Sequence, residues 1–346
     1  MRKLLIFLLL IPYLVFPAHA LDLTAPEVPR QAENYMPEDP EDFGSGFAEL
    51  VVKALGSLRP DLKEAGRICL GLTATVLLIS ILHTVSDRTK QAANLAGSAA
   101  IAASLLLSTN SHLTLAAQTI TEMSEYGKLL LPVMAAAMAA QGGAVTSAAL
   151  YAATAFVSTF LSNLIRTVLM PMVYLFLALT LANGASGQEL LKRLRDLLKW
   201  CLTWCLKTVL ALFTTYMGLT NVISGTADAA AVKAAKTAIS TAVPVVGGIL
   251  SNASETVLVG AALVKNAAGM YGIFAVLALF LEPFLRIGVH YLMLKVTAAV
   301  CGIFGCKEMT ELIGGFSEAM GLLLAMTGSV CLLLLIGTVC FLKGVG

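Results

Sequence analysis

An uncharged run of 37 residues, from residue 129 to residue 165, is the feature that most limits how this chain can fold. A helix needs about 20 apolar residues to cross the roughly 30 Å hydrocarbon core of a bilayer. Only helices and closed barrels satisfy the backbone polar groups there. Six further runs have the required length and composition: residues 68–86, 91–109, 202–223, 256–281, 284–304 and 319–342. The sequence therefore predicts an all-α, polytopic transmembrane protein.

The number of crossings depends on residues 129–182. Pro132, Gly142 and Gly143 interrupt the uncharged run, and Arg166 separates it from the apolar residues 167–182. This part of the chain fits either one span with a re-entrant piece or three spans, which gives seven to nine spans in total. Only 13% of all residues are charged, against about 25% in a soluble domain. One membrane domain over residues 67–346 is the simplest division of the chain.

The first 20 residues have the three parts of a cleavable signal peptide. Arg2 and Lys3 precede an apolar run, and Ala18 and Ala20 form a small-x-small cleavage site. A retained signal anchor is the alternative. In both cases residue 21 starts outside the cytoplasm.

Residues 21–66 are predicted to form an exported arm. Its first half is acidic and rich in proline, which is typical of extended chain. A short amphipathic helix follows, and this type of helix docks on a membrane interface or on a partner. Its apolar face is expected to consist of Phe47, Leu50, Val51, Leu55 and Leu58. Pro60 is expected to end or kink the helix.

Loop charges predict an orientation, because cytoplasmic loops are enriched in Lys and Arg. With the mature N-terminus outside the cytoplasm, the loop at residues 87–90 lies inside and residues 110–128 form a segment outside. The basic cluster at residues 192–199 then lies inside, and the acidic loop at residues 307–318 lies outside. The C-terminus is predicted to be cytoplasmic.

Catalytic, metal-binding and cofactor motifs are not recognisable in this sequence. It lacks G-x-S-x-G, H-E-x-x-H and a Walker A lysine. The seven cysteines lie in or beside apolar segments without a histidine at metal-ligand spacing. A net charge of +2 without a basic stripe does not indicate nucleic-acid binding. We therefore expect no enzyme activity and no cofactor, and an ATP-driven process would need another subunit.

Residues 224–267 are too polar to face lipid comfortably. They contain lysines among alanines, then Pro244 and the pair Gly247 and Gly248. Two interpretations remain open: a surface helix with a loop at the interface, or a segment that lines an aqueous cavity. The candidate pore-lining or interfacial residues are Lys233, Lys236, Ser240, Glu255 and Lys265.

Glu282, Arg286 and His290 follow one another at intervals of four residues. On a helix such residues are neighbours, so Glu282 and Arg286 are predicted to form an ion pair. The favoured interpretation places Glu282 and Pro283 in a tight cytoplasmic turn that the pair closes. An ion pair at membrane depth is the alternative, and it would need its charges paired or hydrated.

Small residues recur at four-residue spacing in two places, which lets helix backbones approach closely. The first stripe is Ala92, Ala96, Ala100 and Ser104, and the second is Ala135, Ala139 and Gly143. Packing within the chain and homo-oligomerisation both explain this spacing.

Three stretches resemble the stage III sporulation protein AE family of endospore-forming bacteria. They are residues 28–47 (VPRQAENYMPEDPEDFGSGF), 130–149 (LLPVMAAAMAAQGGAVTSAA) and 232–258 (VKAAKTAISTAVPVVGGILSNASETVL). The likeness extends over essentially the whole chain, and the third stretch is the most specific part of it.

The resemblance implies a subunit of the channel-like complex that joins mother cell and forespore, located in the mother-cell membrane around the forespore. It also implies partners: a secretion-type ATPase, other small stage III sporulation membrane proteins and ring-forming proteins of the intermembrane space. No catalytic residues are associated with the family. A stand-alone secondary transporter and a purely structural membrane anchor are the alternative functions.

Overall fold

The computed structural model describes the backbone of residues 25–39, 42–85, 90–141, 143–242 and 247–343. Side chains are described over residues 25–39, 42–83, 90–141, 143–217 and 266–342. The predicted signal peptide, residues 1–20, lies outside the described residues.

The described chain folds entirely into helices and their connections. Within the described residues the α-helices are α1 (Arg30–Glu33), α2 (Phe43–Ser57), α3 (Arg59–Val85), α4 (Lys90–Ala140), α5 (Ala144–Leu164), α6 (Met170–Ser186), α7 (Glu189–Ala242), α8 (Gly247–Gly302) and α9 (Lys307–Lys343). A five-residue π-helical turn, Ile165–Leu169, joins α5 to α6 without a break.

Six helices in the described part are long and apolar enough to cross a membrane: Arg59–His83, Lys90–Ala140, Ala144–Ser186, Glu189–Met217, Asn266–Gly302 and Lys307–Leu342. The predicted all-α, multi-span architecture is confirmed. The predicted total of seven to nine spans is not confirmed by these residues, because several stretches that were counted separately belong to one continuous helix.

The helices run antiparallel in chain order, so that the connections α3 to α4, α6 to α7 and α8 to α9 share one end of the bundle, here named the loop end. The Ser80 hydroxyl donates to the Phe304 carbonyl there at 2.9 Å. α9 is the most buried of the six candidate spans, and it packs against α4, α5, α6, α7 and α8. A helix that is apolar on all sides is expected at such a central position.

Glycines on α9 let neighbouring helices approach closely. A Cβ atom at Gly337 would lie 2.7 Å from Cγ2 of Thr154 on α5, and one at Gly315 would overlap the side chain of Thr180 on α6. Both threonines are buried. The Thr180 hydroxyl donates to the Phe176 carbonyl at 2.8 Å, which satisfies it within its own helix. Small residues are the usual means of close helix packing in membranes.

α4 is one helix of 51 residues, so the helix does not end at residue 109 as predicted, and the location of residues 110–128 outside the cytoplasm stays a prediction. Pro132 lies inside α4 without ending it, and the uncharged run breaks between Ala140 and Ala144 instead. Arg166 lies in the π-helical turn rather than between two spans. Helices at membrane depth tolerate proline where neighbouring helices pack against them.

The predicted turn at Glu282 and Pro283 is also wrong, because α8 continues through Pro283. α7 and α9 therefore begin at the same end of the bundle and run in the same direction. Lys192 forms an ion pair with Glu311 at 3.1 Å. About two turns further along both helices, Lys199 pairs with Glu318 at 2.8 Å. The basic cluster and the acidic loop, predicted on opposite sides of the membrane, lie at the same end of the bundle.

The predicted amphipathic helix exists as α2. Of its predicted apolar face, Leu50 and Leu58 are buried within the chain and Val51 is half-buried, whereas Phe47 and Leu55 are exposed. α2 packs along α8, where the Gly46 backbone fits against the Phe274 ring. Docking of the exposed part on a membrane interface or a partner stays a prediction. α3 begins at Arg59, so Pro60 lies at its start as expected.

The Asp42 side chain caps α2. One of its oxygens accepts a hydrogen bond from the Gly44 backbone N–H at 3.1 Å. Hydrogen bonds from Ser45 and Gly44 hold the pKa of the Asp42 carboxyl below its usual range. A carboxylate at this position stabilises the helix by satisfying a free backbone donor.

Substitution of Gly315 by alanine is expected to destabilise the protein by about 1–3 kcal/mol, because the added methyl overlaps the buried Thr180 side chain. Gly314→Ala is the matched control, since no atom lies within 4 Å of a Cβ at Gly314. Alanine is a better helix former than glycine by about 0.5–1 kcal/mol. The thermal unfolding midpoint in detergent micelles should fall for the first variant and hold or rise for the second. Equal midpoints would contradict the proximity of α6 and α9.

Lys192→Glu is expected to lower stability, because it places a second carboxylate against Glu311. Adding Glu311→Lys should restore most of the loss by exchanging the partners. Arg193→Glu makes the same charge change on an exposed neighbouring position and should have little effect. The thermal unfolding midpoints of Lys192→Glu, of the double variant and of Arg193→Glu measure these changes in stability. A double variant no more stable than Lys192→Glu would refute the pairing of α7 with α9.

Candidate functional site

Five ionisable side chains meet inside the bundle where α3, α4 and α8 come together. We name this group the polar layer: Asp61, His112, Glu282, Arg286 and His290. Ionisable groups in membrane helices are costly unless they are paired, and they commonly mark functional sites. The polar layer is therefore the candidate functional site of the described residues.

α8 supplies three members of the polar layer at intervals of about one turn. Glu282, Arg286 and His290 are four residues apart, so they lie on the same side of the helix. Continuity of α8 through Pro283 is what keeps them aligned. A turn at this position would have separated Glu282 from the other two.

Arg286 connects α8 to the first turn of α3. Its Nη2 atom lies 2.8 Å from Oε1 of Glu282, and its Nε atom lies 3.2 Å from Oδ1 of Asp61. The two carboxylates are only 14% and 15% exposed, whereas the guanidinium is 38% exposed. Asp61 also lies at the positive end of the α3 dipole. Two poorly hydrated carboxylates thus share one partly hydrated cation.

His112 of α4 and His290 of α8 are in direct contact. His112 Nε2 lies 3.0 Å from His290 Nδ1, and both residues are buried, at 7% and 4% exposure. His112 Nδ1 lies 2.7 Å from the Ser108 carbonyl oxygen. His290 Nδ1 is also 3.2 Å from the Arg286 carbonyl oxygen.

These contacts assign the tautomers of the two neutral rings. A carbonyl oxygen only accepts, so His112 Nδ1 carries the proton and donates to Ser108. His112 Nε2 is then an acceptor, and it receives the hydrogen bond that His290 Nδ1 donates. His290 Nε2 is left as an unprotonated acceptor. The pair therefore forms a directed chain of hydrogen bonds from α8 through α4.

The sequence-predicted site residues are not members of the polar layer. Lys233, Lys236 and Ser240 belong to the helical backbone of α7, and Glu255 and Lys265 to that of α8. Their side chains lie outside the described residues. Their predicted pore-lining or interfacial role stays a prediction.

Sequence reasoning found part of the polar layer. The ion pair between Glu282 and Arg286 is confirmed, and His290 lies one turn further as expected. Asp61 and His112 were not singled out. One local signal marks His112. It follows the buried residues Leu105 and Thr109 at helical spacing, so the three residues lie on the same face of the helix. Pairing with residues 178 positions away has no local signal.

The part of the chain that the structure describes contains no group of three or more His, Cys, Asp and Glu side chains arranged to hold a metal ion. The polar layer offers ion pairs and hydrogen bonds instead. These contacts fix α8 against α3 and α4.

Comparisons with known proteins agree on one family. The family model described as "Stage III sporulation protein AE" matches residues 41–344. A protein of Bacillus subtilis (strain 168), "Stage III sporulation protein AE", is 22% identical over 218 residues. That alignment covers 63% of this chain and 55% of the relative, so the chain spans about half the length of that relative. No solved structure matches the chain.

Arg286→Met is expected to destabilise the protein by about 1–3 kcal/mol, because it leaves Asp61 and Glu282 without their shared cation. The partial exposure of Arg286 keeps the loss below that of a fully buried pair. Arg286→Lys retains the charge and should lose less. Adding Asp61→Asn and Glu282→Gln to Arg286→Met should recover stability. Thermal unfolding in micelles measures all three, and no recovery in the triple variant would contradict the shared ion pair.

Proposed function

The chain belongs to the stage III sporulation protein AE family, and from this membership we propose that it is a membrane subunit of a channel-like, secretion-like complex between mother cell and forespore. The family supports a role in sporulation, and the six apolar helices agree with a multi-pass membrane protein. The conduit itself is our proposal.

The proposed role is non-catalytic. The sequence lacks recognisable catalytic motifs, and the family is named for sporulation rather than for a reaction. Movement of cargo would take its energy from a secretion-type ATPase, and ring-forming proteins of the intermembrane space would extend the conduit towards the forespore. If the purified protein alone took up one solute saturably in vesicles, a secondary transporter would replace this proposal.

Exposure of the first small-residue stripe supports a homo-oligomer. Ala92, Ala96, Ala100 and Ser104 are exposed on α4, whereas their neighbours Ala93 and Gly97 are buried. The second stripe differs, since Ala135 and Ala139 are half-buried and Gly143 is buried. Packing within the chain thus accounts for the second stripe but not for the first. We propose that the first stripe contacts a second copy of the chain, because small residues permit close helix contacts.

Ala96→Trp is expected to weaken the oligomer at least tenfold, because the indole would hold the two helices apart. Leu107→Trp is the control, since Leu107 is 83% exposed on the same helix but lies outside the stripe. Native mass spectrometry of the full chain in detergent gives the oligomeric state. Sporulation efficiency of cells with each variant tests the function. Unchanged oligomers with Ala96→Trp would refute this contact.

Residues 224–267 are the proposed pore-lining or interfacial segment. Single cysteines at Lys233, Lys236 and Ser240 should react with aqueous thiol reagents in the assembled complex if this segment lines a water-filled path. Glu255 and Lys265 should do the same. Complete protection of all five positions would exclude the pore-lining role.

We propose that the protein lies in the mother-cell membrane around the forespore, with the mature N-terminus extracytoplasmic and the C-terminus cytoplasmic. A cytoplasmic C-terminus requires an odd number of crossings, whereas the described residues contain six helices that are long and apolar enough to cross a membrane. A reporter fused after Gly346 decides this point. Cytoplasmic activity supports the proposed orientation, and extracytoplasmic activity replaces it by six crossings with both ends outside.

A further inference from the structure

A small cavity lies beside His290, between α3, α4, α8 and α9. Its volume is about 10 Å³, which is the space that one water molecule requires. Most of the residues that line the cavity are apolar, and His290 contributes an imidazole ring. The lining residues include Ala65, Cys69, Thr109, His290, Met293 and Met320.

His290 brings an unsatisfied acceptor to this cavity. The residue is 4% exposed, and its Nε2 atom has no hydrogen-bond partner among the described residues. Nδ1 of the same ring is held by His112 and by the Arg286 carbonyl. A buried acceptor without a partner costs about 1–3 kcal/mol. A water molecule in the cavity would remove that cost by donating to Nε2.

We propose that His112, His290 and one water molecule in this cavity form a proton-binding site. A proton from bulk water reaches the cavity water and binds to the lone pair of His290 Nε2, and no other bond breaks. The resulting imidazolium still donates from Nδ1 to His112 Nε2. The existing hydrogen-bond chain is therefore kept in both states, and only the cavity water must turn its lone pair towards the new N–H.

The pair binds one proton rather than two. A second proton would place two positive rings in contact, with 3.0 Å between their facing nitrogens, and like charges at that distance are strongly unfavourable in a buried site. Protonating His112 Nε2 as well would also break the hydrogen bond between the rings. The site is thus a single titratable unit with two rings.

Charged groups of both signs lie near the pair. On α3, Asp61 and Glu64 interact electrostatically with His112, and the bases Arg59, Lys63 and Arg67 lie in the same turns of the helix. On α8, Arg286 pairs with both Glu282 and Asp61. The polar groups that line the cavity besides His290 are Cys69 on α3 and Ser108 and Thr109 on α4.

The site does not depend on the conduit proposal, because it rests on contacts within one chain. It gives α4 and α8 a contact whose charge changes with pH. Loss of the conduit function would leave the proton measurement unaffected, and failure of the proton measurement would leave the conduit proposal unaffected.

Nitrogen NMR of the full chain, labelled with ¹⁵N-histidine and held in lipid nanodiscs, tests the proposal. His19→Gln and His83→Gln identify the signals of the two histidines outside the pair, and His290→Gln and His112→Gln identify those of the pair. At pH 8 both rings of the pair should carry their proton on Nδ1. Between pH 8 and pH 5 one imidazolium should form per chain within the pair, on His290. Two charged rings, a proton on His290 Nε2 at pH 8, or no titration in this range would overturn the proposal.

Ala65→Val tests the role of the cavity water, because the added methyl groups fill the cavity. His290 should then stay neutral over the same pH range, while the His83 signal and the helix content remain unchanged. Ala99→Val is the matched control on an exposed position of α4 outside the first stripe and should leave the titration as it was. Normal titration in folded Ala65→Val would overturn the role of the cavity. If Ala65→Val fails to fold, the test is the position of the ring protons in the unsubstituted protein. A proton on His290 Nε2 at pH 8 would then overturn the proposal.

Discussion

Packing of α9 against five other helices is the interaction on which the rest of this structure depends. α9 packs against α4, α5, α6, α7 and α8, and its contacts extend from Glu311 near the loop end to Leu342 beside Gly269. In lipid the hydrophobic effect does not drive helices together, so close packing and interhelical polar contacts must. α9 supplies both, through Gly315 and Gly337 and through Glu311 and Glu318.

α7 shows how this requirement sorts side chains. Lys192 and Lys199 point to α9, where Glu311 and Glu318 neutralise them. Leu194 and the stacked rings of Trp200 and Trp204 are exposed on α7, and so are the charged residues Arg193 and Asp196. Asp61 and Arg286 likewise pair across two helices, so pairing with a partner helix is a common solution for the charged groups of this bundle.

Sequence reasoning recovered the fold class, the ion pair of Glu282 with Arg286 and the break after Ala140, because each depends on residues that are close in sequence. It failed where a local signal was overridden by packing. Pro283 predicts a turn in isolation, yet α8 continues through it. Because that turn was counted as the end of a span, Glu311 and Glu318 were predicted on the side of the membrane opposite the basic cluster. Both glutamates instead pair with lysines of that cluster. Asp61 and His112 were missed because their partners lie far along the chain.

The length of the helices explains why contacts between protein side chains, rather than contacts with lipid, must enclose much of the bundle interior. α4 has 51 residues, which is about 77 Å of helix at 1.5 Å per residue, whereas the hydrocarbon core is about 30 Å thick. Tilt alone does not accommodate such a length, so part of α4 and of its neighbours extends beyond the hydrocarbon. There the exposed sides of the helices meet water or other proteins, while α9 has buried residues from Met309 to Phe341. A bundle held by its central helix can therefore keep the polar layer in place wherever the lipid boundary falls along it.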